Sequence, residues 1–126
     1  MRAQREGLVL LALAALAGAC ADRPAGPTAL VPSPLTLARG ALALHEYGCG
    51  ACHRIPGIAS ADGIVGPPLV DMHRRVYIGR GLPNTAQNLA QWIARPQQFA
   101  PGSAMPDMRV GDADAAAMAA FLLHSD

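Results

Sequence analysis

The chain has 126 residues, 52% of them apolar but only 4% aromatic, and a formal net charge of +1. That length allows one small domain, and with alanine inflating the apolar fraction its core would be thin. The near-neutral charge argues against a nucleic-acid partner; all ten basic residues are arginine, which reads as genome composition more than function.

Met1 to Cys20 reads as an export signal: Arg2 and Arg5 give a positive start, and Leu8 to Leu16 is an unbroken apolar run. The segment is too short to span a bilayer comfortably as a helix. Two processing readings compete. Ala17-Gly18-Ala19 fits an A-x-A cleavage site, while Leu16-Ala17-Gly18-Ala19-Cys20 resembles a bacterial lipobox that departs from the pattern at Ala17. Cys20 favours the lipoprotein, because an odd cysteine in an oxidising compartment is a liability unless modified. Ala21 to Leu35, with Pro24, Pro27, Pro32 and Pro34, then reads as a semi-extended tether. An ordinary disordered N-terminus is the alternative.

From Thr36, a plausible N-cap, Leu37, Ala41 and Leu44 fall on one face of a helix, with Gly40 permitting close approach of another. This helix runs into Cys49-Gly50-Ala51-Cys52-His53 at about Tyr47-Gly48. C-x-x-C-H is the attachment signature of a c-type haem. Two thiols at this spacing straddle one porphyrin edge as thioethers, and the adjacent imidazole of His53 is swung beneath the ring as proximal ligand. A redox dithiol would want a βαβ pattern, and no strand-like alternation is near. Structural zinc needs four ligands; Cys20 lies in the export segment and His73 stands alone.

After His53, a loop from Arg54 to Val65 leads into Gly66-Pro67-Pro68-Leu69, which prolines keep out of helix. The pattern predicts a short helix over Val70 to Ile78 ended by Gly79 and Gly81, and a helix capped by Asn84 with Gln87 three residues on. Leu89, Trp92 and Ile93 mark its buried side, and it stops before Pro96. Pro96 to Pro106 is a proline-bracketed loop. Asp112, as N-cap, opens a last helix with Met118, Phe121 and Leu122 along its apolar edge. Four helices are expected, with no strand and no repeat.

The sixth iron position decides the chemistry, since a thioether there raises the potential while an open site admits ligands. Met105 is the best candidate, in a loop that Pro101 and Pro106 restrain. Met72 and Met108 are rivals, Met118 is at core spacing, and His73 reads better as a surface residue beside Arg74 and Arg75.

With these residues in order, the sequence resembles a class I c-type cytochrome. More narrowly, Val65-Gly66-Pro67-Pro68-Leu69, Leu82-Pro83-Asn84, Trp92-Ile93, Pro96-Gln97 and Pro101-Gly102-Ser103-Ala104-Met105-Pro106 resemble the cytochrome c domain fused to subunit II of some bacterial cytochrome c oxidases. The likeness runs from about Gly40 to Leu123. It implies an all-α cytochrome c fold, about four helices wrapped around one covalent haem c, with Cys49 and Cys52 as thioether sites and His53 and Met105 as axial ligands. It further implies that the Pro67 carbonyl accepts the His53 imidazole N–H. Arg75 and Trp92 become propionate candidates, against a solvated arginine and a core tryptophan. Gly40 and Phe121 would mark a crossing of the first and last helices.

The expected organisation is a signal peptide over residues 1–19, a lipidated Cys20 and tether over 20–35, and a monohaem domain over 36–126. With no copper-binding domain ahead of it, the unit is expected to be free-standing, an exported periplasmic electron carrier anchored to the membrane as a lipoprotein. It would make or break no substrate bond. Its partners would be redox proteins such as a terminal oxidase or dehydrogenase, met through apolar contact with modest charge steering. The alternatives are a dedicated haem subunit of one such complex, or a haem catalyst or gas sensor with an open sixth site.

Overall fold

A computed structural model of the protein describes residues 31–125. The signal segment, Cys20 and the tether up to residue 30 lie outside the described residues. From Pro32 onward the chain forms one unit, and it is mostly helical, with four α-helices, two 3₁₀ turns and a two-stranded hairpin. Among the described residues no helix is long and apolar enough to cross a membrane.

Helix α1 spans Pro34–Glu46. Its cap is Ser33, not Thr36: the Ser33 hydroxyl accepts the Thr36 amide at 3.1 Å, and Pro34 fills the first helical position, where an N–H would be unpaired anyway. The helix therefore starts at Pro34, three residues before its apolar pattern begins at Leu37. Gly48, at a φ of 71°, stops it by a left-handed turn that only glycine adopts without strain. The chain passes at once into the 3₁₀ turn Cys49–Ala51.

The expected helix over Val70 to Ile78 is not formed. Met72–Arg74 makes a single 3₁₀ turn, and β1 (Tyr77–Ile78) pairs antiparallel with β2 (Leu82–Pro83), Ile78 opposite Leu82. The loop between them carries Gly79 and Gly81 at positive φ, which reverses the chain. The β-branched and aromatic run Val76-Tyr77-Ile78 suits the extended strand better than a helix.

Helix α2, Ala86–Ala94, is capped by Thr85, whose hydroxyl accepts the Asn88 amide at 3.1 Å. Asn84, the expected cap, instead donates from Nδ2 to the carbonyls of Met72 and Arg75, at 2.7 and 3.0 Å, and ties the hairpin to the preceding turn. The expected loop from Pro96 begins with a helical turn, α3 (Pro96–Phe99), because buried Pro96 sits at its first position.

Helix α4 spans Asp112–His124, with Gly111 and not Asp112 at the N-cap. Asp112 is already inside the first turn, where its carboxylate pairs with Arg95 at 2.5 Å. Buried alanines at 115, 117 and 119 let α4 lie close to its neighbours. At Gly40 a Cβ would stand 2.7 Å from the Ala117 carbonyl carbon and 2.9 Å from Phe121 Cβ, so only glycine fits this crossing of α1 and α4. Leu44, Met118 and Leu122 close the core at 2% exposure or less; such burial contributes about 1.5–3 kcal/mol per side chain.

Polar contacts pin the same crossing. Arg39 donates from Nε and Nη2 to Asp114 Oδ1 at 3.0 and 2.8 Å, and the Tyr47 hydroxyl donates to Oδ2 at 3.2 Å. The Arg39 hydrogen bonds hold the Asp114 carboxyl below its ordinary range against an opposing effect of burial, with Tyr47 adding to the lowering. A lowered folded-state value means this stabilisation is complete above the unfolded carboxylate's pKa and is lost as pH falls through the lower, folded one. The thermal midpoints of wild type and Asp114→Asn are therefore expected to differ most at neutral pH and to converge in acid. The effect should be modest and salt-sensitive, because the pair is solvent-exposed. A gap that widens on acidification would contradict the assignment.

Candidate functional site

The candidate site is the Cys49–His53 segment and the loop that wraps it. The turn after Gly48 is closed by His53 N donating to the Cys49 carbonyl at 3.0 Å, so both cysteines and the histidine come from one compact coil. Neither Cys49 nor Cys52 is in a disulfide, and both are half-buried. Burial pushes the Cys49 thiol above its ordinary value, a backbone hydrogen bond opposes this, and the neighbouring Cys52 adds to the rise. A redox-active dithiol needs the opposite, a stabilised thiolate. Among the described residues no three His, Cys, Asp or Glu side chains gather where a metal ion could be held.

The 61–69 segment folds back over this coil. Gly63 N bonds the Gly50 carbonyl at 3.0 Å, Gly66 N the Cys52 carbonyl at 2.7 Å, and Leu69 N the Arg54 carbonyl at 2.8 Å. This brings Pro67 to His53. The distance from His53 Nδ1 to the Pro67 carbonyl oxygen is 2.7 Å. A carbonyl only accepts, so Nδ1 carries the proton and Nε2 keeps its lone pair for a metal. Gly66 lies flat on the same ring: a Cβ there would stand 2.7 Å from Nδ1 and 2.9 Å from Nε2. Imidazole tautomer and orientation are thus both held.

Arg75 is half-buried, and its Nη2 donates to the Pro68 carbonyl and, at 3.4 Å, to that of Val70. It braces the proline segment that carries the His53 acceptor, and a guanidinium has further donors to offer. Trp92 packs on the hydrophobic core, with Gly79 against its six-membered ring, where a Cβ would approach to 2.7 Å.

Among the methionines, Met72 and Met118 are core residues at 2% and 0% exposure, and Met108 is 43% exposed. Met105 is half-buried in a short loop with dense internal bonding. Its amide donates to Ser103 Oγ at 3.2 Å, and its carbonyl accepts from Gln97 Nε2 at 2.7 Å. The same Nε2 donates to the Ser103 carbonyl at 2.9 Å, and Gln97 Oε1 accepts the Gly102 amide at 3.0 Å. His73 is on the surface. Sequence reasoning assigned Gln97 no role; its place in the Pro96-Gln97 to Met105-Pro106 run was the available signal.

Two thiols and an oriented imidazole on one coil, with a thioether on a separate half-buried loop, are the residue types that a covalently attached haem uses. The residues present fit that group. The family model for cytochrome c matches residues 37–126, and the chain belongs to the cytochrome c family. Its cofactor is accordingly haem c, and the family is one of electron-transfer proteins. The chain is also 35% identical over 95 residues to cytochrome c oxidase subunit 2 of Alkalihalophilus pseudofirmus, an alignment covering 71% of this chain and 27% of that protein. It thus spans about a quarter of that relative's length. No solved structure matches.

Proposed function

We propose that this protein is an exported monohaem cytochrome c that passes single electrons between respiratory partners from a lipid anchor at Cys20, without catalysing a reaction of its own. The observation that carries this reading is the Pro67–His53–Gly66 arrangement beside two free thiols. It is built to hold one imidazole at an iron and lacks features of a thiolate catalyst. When bound, the haem supplies a one-electron ferric/ferrous couple.

The chain's part is to hold that couple in one geometry. Cys49 and Cys52 would anchor the macrocycle to the coil after α1, while the Pro67 carbonyl orients the His53 ring that would face the iron. Met105 would supply the thioether ligand that keeps small ligands out. Arg75, with donors beyond those given to Pro68 and Val70, and Trp92 would serve the haem propionates. Retention of both His53 and Met105 in the two oxidation states would keep the reorganisation that accompanies electron transfer small.

The oxidase relative favours a terminal oxidase as acceptor, and also supports the second reading of a dedicated haem subunit of such a complex. Holoprotein reduced with ascorbate should be reoxidised by a haem–copper oxidase at one electron per chain, with oxygen consumed. A reduced protein that the oxidase leaves reduced, yet that turns over peroxide, would overturn the carrier reading.

The anchor is tested separately. In Cys20→Ser the haem domain is expected to move from the membrane fraction to the soluble periplasm. A wild-type protein already wholly soluble would support cleavage after Ala19.

A further inference from the structure

We propose that Gln97 is the positioning residue for the sixth iron ligand, its one amide group locking the Gly102–Met105 loop in the shape that holds the Met105 thioether in place. The inference rests on Met105 being that ligand.

An amide side chain has two N–H donors and a carbonyl acceptor. Gln97 uses all of these functions on one loop: Nε2 donates to the carbonyls of Ser103 and Met105, and Oε1 accepts the amide of Gly102. Three backbone groups within four residues thus converge on a single side chain, half-buried and partly shielded from competing water. The clamp is mounted on α3, whose first residue, Pro96, is buried in the core, so the loop is referred to a rigid element. Beyond the restraint of Pro101 and Pro106, the loop's own hydrogen bonds are few. Gly102 is at a φ of 76°, and Ser103 supplies one amide bond back to Ala100 and one hydroxyl to Met105. Because the Met105 carbonyl is itself a partner, releasing Gln97 frees the backbone of the ligand residue directly.

The chemistry is specific to glutamine. Glutamate keeps the acceptor for Gly102 but sets a carboxylate against two carbonyl oxygens. Lysine keeps donors for those carbonyls and loses only the acceptor. Gln98, the exposed neighbour, is the control.

The experiment is imidazole binding to the ferric holoprotein, read from the shift of the Soret band, with the global thermal midpoint measured alongside. Gln97→Ala and Gln97→Glu are expected to raise imidazole affinity about tenfold or more, the change in loop opening that losing two or three ordinary hydrogen bonds produces. Gln97→Lys should recover part of the wild-type value and Gln98→Ala all of it. Arg39→Ala, which loosens the remote α1–α4 crossing, should lower the midpoint without raising affinity, separating positioning from stability. If Gln97→Ala fails to accumulate, Gln97→Met, of similar size and without donors, carries the same expectation. Met105→Ala should bind imidazole most tightly. A Met105→Ala protein with wild-type affinity would overturn the ligand reading, and this inference with it. Tight binding in Met105→Ala with wild-type affinity in Gln97→Ala would overturn the role of Gln97 alone.

Discussion

Replacing both Cys49 and Cys52 by alanine is expected to leave a chain that does not fold. Sixteen apolar residues are buried among those described, and seven of them are alanines, which bring little surface out of water. Helices α1 and α4 are 13 residues each and α2 only nine, lengths at which helices in water depend on tertiary packing. Small domains of this kind usually need a staple, and here the covalent haem is the staple. Far-UV circular dichroism of the double variant, matured in an export-competent host, should show a largely unstructured chain without a cooperative melt. Either single replacement should impair attachment. A double variant that melts cooperatively near the wild-type midpoint would show that the protein matrix suffices alone.

Replacing Met105 by alanine is expected to have the next largest effect, on the iron and not on the fold. Met105 is half-buried, and its backbone bonds to Gln97 and Ser103 do not require its side chain. The loop should therefore persist while the thioether is lost. Methionine paired with histidine raises haem potential, and axial ligands set that potential over roughly 0.8 V, so a fall on the order of 0.1 V is expected. The ligand-to-iron charge-transfer band should vanish and exogenous ligands should reach the iron. Met108→Ala should change neither, since Met108 lies beyond Pro106 and is 43% exposed. The opposite outcome for the two variants would move the ligand to Met108.

Much of the site was legible because its chemistry is local in sequence. Cys49, Cys52 and His53 lie within the five consecutive positions of one motif, and the glycine that lets α1 meet α4 is marked by its place on an apolar helical face. The rest was hidden where local pattern and tertiary context disagree. Val70 to Ile78 carries apolar residues at spacings that also suit a helix, yet a β-branched run ahead of two glycines turns as a hairpin. Ser33 lay inside a proline-rich stretch read as tether, so its cap went unseen although Pro34 follows it directly. Asn84 and Thr85 are adjacent and both able to cap; the carbonyls of Met72 and Arg75, brought close only by folding, claim the asparagine. For Gln97 the one sequence signal was its place in the Pro96-Gln97 pair; its role stayed hidden because its partners lie on a loop whose closure leaves no periodic trace.

Exposing the ferrous holoprotein to carbon monoxide at neutral pH tests the central claim most directly. A carrier whose iron keeps both His53 and Met105 should show a Soret band that carbon monoxide leaves unchanged. A prompt shift to a carbon monoxide adduct would mean an open or weakly held sixth position, and would contradict the carrier in favour of a catalyst or gas sensor.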